Sequence, residues 1–159
     1  MLDHTPAILV VEDDKNVRDI IVRLLRDEGF EVNATASGWT ALAMIRRKPF
    51  DLLIADIMLP GGLDGLEVAK CARLEHPGLR CLFVSGRSHV VTDDPECDDF
   101  VSKPFRRHEL LGCVWELLHR RFAPSPLGWE ARQAERTLLA AEINCRRQKL
   151  LAGRRARRG

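Results

Sequence analysis

The sequence predicts an α/β fold, a doubly wound sheet of five parallel strands with helices on both faces and an additional C-terminal helix. Two observations predict it. Short apolar runs alternate along the chain with segments in which apolar residues recur every three or four positions, the pattern of strands followed by amphipathic helices. The first run, residues 7–11, is apolar at every position, which is typical of a strand buried between two helix layers.

The first half of the chain supplies two strands and two helices. Residues 7–11 form the first predicted strand, and residues 30–35 form a second, less apolar one. The helix between them has one apolar face, and Gly29 follows as its C-terminal cap. This face consists of Val17, Ile20, Ile21, Leu24 and Leu25. Ser37 opens a short helix that ends before Pro49.

A third strand is predicted over residues 50–55, ending at Asp56. A loop rich in proline and glycine follows, and a helix over residues 65–75 ends before Pro77. The apolar run at 79–84 predicts the fourth strand, which ends at Ser85.

The remainder of this part of the chain is less regular. Residues 86–98 are polar and contain Pro95, so we expect at most a short helix there. A brief last strand over 99–102 precedes Lys103, and a helix with inward apolar residues is predicted over 109–118.

Charge divides the 159 residues into two parts. Residues 1–119 hold 14 lysines and arginines against 20 aspartates and glutamates, a net charge of −6, and residues 120–159 hold 11 against 3, a net charge of +8. Residues 122–126, which hold two prolines, mark a break in the chain. We therefore predict a folded domain over residues 1–122 and a basic helical extension over 123–159 with a disordered end.

Several classes of protein are excluded by composition. No apolar run approaches the roughly 18 residues of a membrane span, and the N-terminus has neither the basic start nor the apolar core of a secretory signal. The five cysteines are odd in number and contain no Cys-x-x-Cys pair, which argues against a disulfide framework or a zinc site. We expect a cytoplasmic protein with reduced cysteines.

Polar residues follow four of the five strands. They are Glu12 and Asp13, Asp56, Ser85 and Lys103. Ligands of open α/β sheets bind beyond the carboxyl ends of the strands, so these side chains are expected to meet. Clustered carboxylates repel one another, and a Mg²⁺ ion would relieve the repulsion, while the lysine and the hydroxyl could hold further anionic oxygens. The set suits a phosphoryl group in transit, with a carboxylate as nucleophile.

These motifs, taken in order, resemble the receiver domain of the bacterial two-component response-regulator family. The resemblance covers about residues 6–122. The matching segments are Ile-Leu-Val-Val-Glu-Asp-Asp at 8–14, Asp-Ile-Met-Leu-Pro at 56–60, Asp-Gly at 64–65, Val-Ser-Gly at 84–86 and Lys-Pro-Phe at 103–105. The resemblance implies the flavodoxin-like strand order 2-1-3-4-5.

The resemblance also implies a role for each polar residue. Asp56 resembles the phospho-acceptor. Asp13 and Asp56 would bind Mg²⁺ (or Mn²⁺) directly, Glu12 mainly through water, and Met58 through its backbone carbonyl.

Lys103 would pair with the phosphoryl oxygens, and its bond to Pro104 resembles the family's cis peptide bond. Ser85 would move toward the phosphoryl group, and Phe100 resembles the aromatic residue that packs inward when Ser85 moves.

The implied activity is that of a phosphorelay switch. The phosphoryl group would come from the phosphohistidine of a sensor kinase or from a phosphotransfer protein, and would change a protein-interaction surface. The chain would catalyse only its own phosphorylation and slow dephosphorylation.

Two segments depart from the family pattern. The loop at 60–65 is one residue longer than usual, a change that a glycine-rich surface loop tolerates. The stretch from Ser85 to Lys103 is several residues shorter than usual and holds a proline and five acids, which argues against a regular helix before the fifth strand.

The extension leaves three interpretations open. It packs on the domain or pairs with a second copy as a dimer helix, it docks on a protein partner, or it contacts nucleic acid through its arginines. The extension is too short for a full helix-turn-helix output domain, so we rank DNA binding below the protein contacts and keep it as the alternative function. A flavin-binding protein or a phosphatase is a third class, although Met58 stands where haloacid-dehalogenase-like phosphatases have a second aspartate.

Overall fold

The structure is a computed structural model that describes residues 4–86, 98–120, 138, 141–149 and 152–153. Its residue contacts divide the chain into two compact units, Met1–Phe122 and Ala123–Gly159. Within the described part of the second unit, residues 141–149 are helical. The predicted irregularity of residues 87–97 and most of the predicted C-terminal helix lie outside the described residues.

The first unit alternates strands and helices as the sequence predicts. The described elements are, in chain order, β1 (Ala7–Val11), α1 (Lys15–Asp27), β2 (Glu31–Thr35), α2 (Gly38–Arg47), β3 (Leu52–Asp56), α3 (Gly65–Glu75), β4 (Arg80–Ser85), β5 (Asp98–Ser102) and α4 (Arg107–His119). None of the helices in the described ranges is both long and apolar enough to cross a membrane.

The five strands form one parallel sheet in the order β2-β1-β3-β4-β5. The predicted fold class and strand order are therefore confirmed. Because the chain passes from β1 outward to β2 and then back across to β3, the order reverses between β1 and β3, which is where open sheets of this type leave a crevice for ligands.

The sheet is covered on both faces. Alternate residues such as Ile8, Leu52 and Leu82 belong to one core with the buried faces of α1 and α4. The intervening residues, such as Leu9 and Leu53, are fully buried and point to the opposite side, where α2 and α3 pack on the strands. This double burial explains why β1 is apolar at every position.

Local signals set the ends of the helices next to the sheet edge. The Asp14 side chain caps α1 by accepting hydrogen bonds from the backbone N–H groups of Asn16 (2.8 Å) and Val17 (3.1 Å). Asp64 and Glu67 form a reciprocal capping box at the start of α3. Gly29, just after α1, has a φ of +88°, the left-handed conformation that allows the chain to turn into β2.

Candidate functional site

The candidate site lies at the carboxyl edge of the sheet. The β-ladder places Val11 beside Ala55, Asp56 beside Val84 and Ser85 beside Ser102, so four strands end at nearly the same level. Glu12 and Lys103 follow directly after β1 and β5. The fold thus brings together the polar strand ends that the sequence predicts.

Three carboxylates form a cluster there. Oxygen atoms of Glu12, Asp13 and Asp56 all lie within 4.8 Å of one another. Glu12 is 1% exposed and Asp56 6% exposed, whereas Asp13 stands at the surface. Two of the charges are therefore held away from water and the third closes the cluster from the solvent side, an arrangement that requires nearby positive charge.

Lys103 supplies part of that charge. Its Nζ donates a hydrogen bond to Asp56 Oδ2 at 2.6 Å and forms an ion pair with Glu12 Oε2 at 2.7 Å. One ammonium stands against three carboxylates, so the cluster retains an excess of negative charge that a cation would neutralise.

The pKa values of the buried pair reflect this crowding. Burial, with the neighbouring charge of Asp56, raises the pKa of Glu12 despite the opposing effect of Lys103. Burial alone would lower the pKa of Lys103, but the contacts to Asp56 and Glu12 outweigh it and raise that pKa, so the lysine stays charged. For Glu12, burial and the neighbouring Asp56 charge therefore outweigh the pairing with Lys103.

The cluster fits a hard divalent cation. Mg²⁺ prefers carboxylate and carbonyl oxygens and keeps several of its waters, so it needs few protein ligands. The buried Glu12 Oε2 shares the Lys103 ammonium, at 2.7 Å, with Asp56 Oδ2. One shared lysine leaves excess negative charge on the three carboxylates, and their oxygens, all within 4.8 Å of one another, suit a metal ion or a metal-bound water.

Backbone contacts hold Asp56 in place. Its Oδ1 accepts a hydrogen bond from the backbone N–H of Met58 at 2.8 Å, which orients the carboxylate and turns the chain after β3. Behind it, a Cβ atom added to Gly65 would lie 2.2 Å from the Asp56 carbonyl oxygen, so only glycine allows α3 to start this close to the strand. Met58 is 53% exposed, and its backbone N–H is held beside the Asp56 carboxylate.

The lysine is fixed through its neighbours in the sheet. The backbone N–H of Lys103 donates to the Ser85 carbonyl at 2.8 Å, which ties the ends of β4 and β5 together. The Lys103–Pro104 peptide bond is cis, as the family resemblance implies. Ser85 is fully buried, and Phe100, paired with Phe83 in the ladder, is half-buried.

Sequence reasoning missed one residue at the site. Arg18, one turn into α1, donates from Nη1 to the backbone carbonyl of Glu12 at 2.7 Å and to that of Asp13 at 3.2 Å. Its only sequence signal is a basic residue four positions after the acidic run, and a basic residue there is equally compatible with a solvated helix face.

Residues 8–114 match the family model of the response regulator receiver domain. The chain belongs to this family. It is the receiver domain of a two-component response regulator, so phosphoryl transfer to an aspartate follows from the family, and the predicted family and function are confirmed at that level. Receiver domains act as signalling switches, bind Mg²⁺ at their acidic site and interact with sensor histidine kinases or phosphotransfer proteins.

Three relatives illustrate the likeness of this receiver domain to known proteins. Response regulator receiver protein CpdR from Brucella abortus is 32% identical over 115 residues, which cover 70% of this chain and 95% of CpdR. Sensory transduction protein RegX3 from Mycolicibacterium smegmatis is 34% identical over 118 residues, 72% of this chain and only 51% of RegX3. The structure of TrrA from Thermotoga maritima in complex with Mg²⁺ and BeF is 33% identical, with a TM-score of 0.64 over 71% of this chain and 99% of TrrA.

Proposed function

We propose that Asp56 is the phospho-acceptor of this receiver domain and takes its phosphoryl group from the phosphohistidine of a sensor kinase or a phosphotransfer protein. The observation that carries the proposal is the position of the Asp56 carboxylate, which is buried, contacts Lys103 and lies within 4.8 Å of the oxygens of Glu12 and Asp13. Glu12 shares the burial, the contact with Lys103 and the neighbouring acids. Asp56, however, is the one that begins the Asp-Ile-Met-Leu-Pro segment resembling the family's phospho-acceptor motif, and its Oδ1 is held by the Met58 N–H.

The residues around Asp56 have distinct roles in the transfer. An oxygen of Asp56 forms the new bond to phosphorus while the bond between phosphorus and the donor nitrogen breaks and the leaving imidazole takes up a proton. The Met58 N–H holds Oδ1, and Lys103, already beside Oδ2, can follow the developing negative charge onto the phosphoryl oxygens. Both groups are in place before the reaction, so little reorganisation is needed.

A divalent cation fits the same cluster. Asp13, Asp56 and the Met58 carbonyl would hold Mg²⁺ or Mn²⁺ directly, with Glu12 acting through a bound water. When bound, the cation neutralises charge on the transferring phosphoryl group. The excess negative charge left by one lysine among three acids supports this assignment.

The switch itself would run through Ser85 and Phe100. A phosphoryl group on Asp56 adds negative charge and acceptor oxygens. The Ser85 hydroxyl and Lys103 would contact these oxygens, and those contacts would favour the active conformation. The Ser85 carbonyl accepts a hydrogen bond from the Lys103 N–H, and Phe100 lies on β5, three residues before Lys103, so a movement of Ser85 would reach β5 directly. We place the output in protein contacts rather than in catalytic turnover, with the switch working in the cytoplasm.

Intact mass measurement after incubation with Mg²⁺ and a small phosphodonor such as acetyl phosphate tests the assignment. We expect one phosphoryl group on the wild type and on D19N, which changes an exposed acid on α1, and none on D56N. Labelling of D56N to the level of the wild type would contradict the assignment of Asp56. An unlabelled wild type would contradict phospho-acceptance altogether.

For residues 123–159 we propose protein contacts, with pairing between two copies as the first candidate. The helical residues 141–149 are almost all exposed and Leu138 is 70% exposed, so this segment carries surface for a partner. Light scattering of the full chain and of residues 1–122, each with and without a phosphoryl mimic, would show whether the extension forms dimers.

DNA binding through the arginines is the alternative function of the extension. The family match ends at residue 114, before the basic segment, so it neither includes nor excludes this alternative. Titration of DNA at two salt concentrations, with and without residues 123–159, would test it, and weak binding that survives truncation would reject it.

A further inference from the structure

Arg18 contacts the backbone of the site rather than its carboxylates. Its Nη1 donates to two consecutive carbonyls, those of Glu12 at 2.7 Å and Asp13 at 3.2 Å, and the side chain is partly buried in doing so. These carbonyls belong to the two acids between β1 and α1 that the proposed function assigns to the cation. An arginine that served only to neutralise the acids would be expected to contact their carboxylate oxygens.

We propose that Arg18 is a positioning residue for divalent-cation binding, which fixes the peptide groups of Glu12 and Asp13 so that both carboxylates point at Asp56. This inference rests on the proposed function, because it concerns the same cation site. In this role Arg18 would act through the loop backbone, by its contacts with the Glu12 and Asp13 carbonyls.

The other hydrogen bonds of the loop between β1 and α1 fix its two ends. The Glu12 N–H is bonded to the Thr35 carbonyl at 3.1 Å, and the Asp14 side chain caps α1, so the loop is fixed before Glu12 and after Asp13. Between those points, the described residues provide Arg18 as the side-chain donor to both carbonyls. A bond from a charged donor is stronger than a neutral one, so its loss should loosen the acids.

The sign of the effect separates positioning from simple electrostatics. A guanidinium near the site repels a divalent cation, so if Arg18 acted through charge alone, its removal would tighten Mg²⁺ binding. If Arg18 positions the acids, its removal weakens Mg²⁺ binding although the repulsion is gone.

Calorimetric titration of the full chain with Mg²⁺ measures this sign. We compare R18M, which keeps an unbranched side chain but is shorter and has no donor, with R18K, which keeps the charge with a shorter reach than arginine. R23M is the matched control, since Arg23 is an exposed arginine on the same helix. We expect R18M to weaken Mg²⁺ binding by about tenfold, R18K by about threefold, and R23M by less than twofold.

A second readout separates cation affinity from chemistry. In labelling with acetyl phosphate, R18M should need about tenfold more Mg²⁺ for half-maximal rate, while its rate at saturating Mg²⁺ stays within about twofold of the wild type. A general loss of structure would lower both the affinity for Mg²⁺ and the labelling rate at saturating Mg²⁺.

Unchanged or tighter Mg²⁺ binding by R18M overturns the inference. If circular dichroism shows that R18M does not fold, R18K decides, and binding equal to or tighter than that of the wild type overturns it in the same way. Failure of the wild type to bind Mg²⁺ overturns both this inference and the proposed cation site. If the wild type binds Mg²⁺ and is labelled as expected but R18M changes neither property, only the role of Arg18 is contradicted and the proposed function stands.

Discussion

Lys103 Nζ lies 2.6 Å from Asp56 Oδ2, so the residue that would receive the phosphoryl group is paired with a lysine before the reaction. The same ammonium is 2.7 Å from Glu12 Oε2. Lys103 is therefore the counterion of two buried acids in the resting domain as well as a candidate ligand of the phosphoryl oxygens. Its loss should affect stability and phosphorylation through the same contacts.

We expect K103M to lower the free energy of unfolding by roughly 3 kcal/mol, because it leaves two buried carboxylates without their cation. Mg²⁺ should restore part of the loss, since it neutralises the same acids. Urea unfolding with and without Mg²⁺ measures both effects.

K48M is the matched control for this prediction. Lys48 pairs with Glu31 at 2.6 Å at the surface, where an ion pair contributes about 1 kcal/mol or less. Mg²⁺ should stabilise K48M and the wild type equally, so it should not restore this loss. Equal losses in K103M and K48M would show that Lys103 does not act as the counterion of the buried acids.

The second prediction concerns pH. Burial raises the pKa of Glu12 above its usual 4.5, so the folded state binds this proton more tightly than the unfolded state does. Stability from this group is present below pH 4.5 and is lost as the pH rises through the folded-state pKa. Without Mg²⁺, E12Q should therefore be more stable than the wild type at neutral pH, by roughly 1 kcal/mol, and the difference should vanish toward pH 4.

Urea unfolding between pH 4 and pH 8 in the presence of a chelator checks the sign. D19N is the control of opposite sign, because the hydrogen bond from Lys15 lowers the pKa of Asp19, so loss of that carboxylate should slightly destabilise the domain at neutral pH. A wild type more stable than E12Q at pH 7 would mean that the pair with Lys103 outweighs the burial of Glu12.

The order of the elements and the four polar strand ends could be predicted because they depend on local patterns. Apolar runs mark the strands, and the residue that follows each run is placed at one edge by the parallel sheet. The element bounds shifted by up to two residues at most ends, as where β3 begins at Leu52 rather than at residue 50.

Other features could not be predicted. The contact of Arg18 with the carbonyls of Glu12 and Asp13 is local, but it depends on the conformation of the segment between β1 and α1, which no residue pattern specifies. Likewise, the need for glycine at position 65 comes from the distance between α3 and the Asp56 carbonyl, which no local pattern records.

The third prediction concerns the lengthened loop after β3. Gly61 and Gly62 both have positive φ, and the Trp39 Nε1 donates to the Gly61 carbonyl at 3.0 Å, which ties the loop to α2. W39F keeps an aromatic ring but removes this donor, so it should cost about 1 kcal/mol of stability. Labelling of Asp56 should stay within about twofold of the wild type, because the loop bond lies outside the acidic cluster.

W115F is the comparison for that variant, since Trp115 packs against Phe30 with ring centroids 4.8 Å apart and phenylalanine keeps an aromatic ring at that position. Thermal unfolding and intact mass after phosphodonor treatment measure the two effects. A large loss of labelling in W39F alone would show that the loop bond reaches the phosphorylation site.

The last prediction tests how closely α3 must approach Asp56. In G65A the new Cβ would lie 2.2 Å from the Asp56 carbonyl oxygen and 2.8 Å from its carbonyl carbon, and both atoms belong to a central strand that cannot retreat without disturbing its neighbours. We expect a loss of about 3 kcal/mol in the free energy of unfolding. Phosphodonor labelling should also fall, since any shift of this peptide moves the carboxylate relative to Lys103. G78A adds the same methyl group where nothing lies within 4 Å and should change neither property, so wild-type stability and labelling in G65A would show that α3 does not fix the position of Asp56.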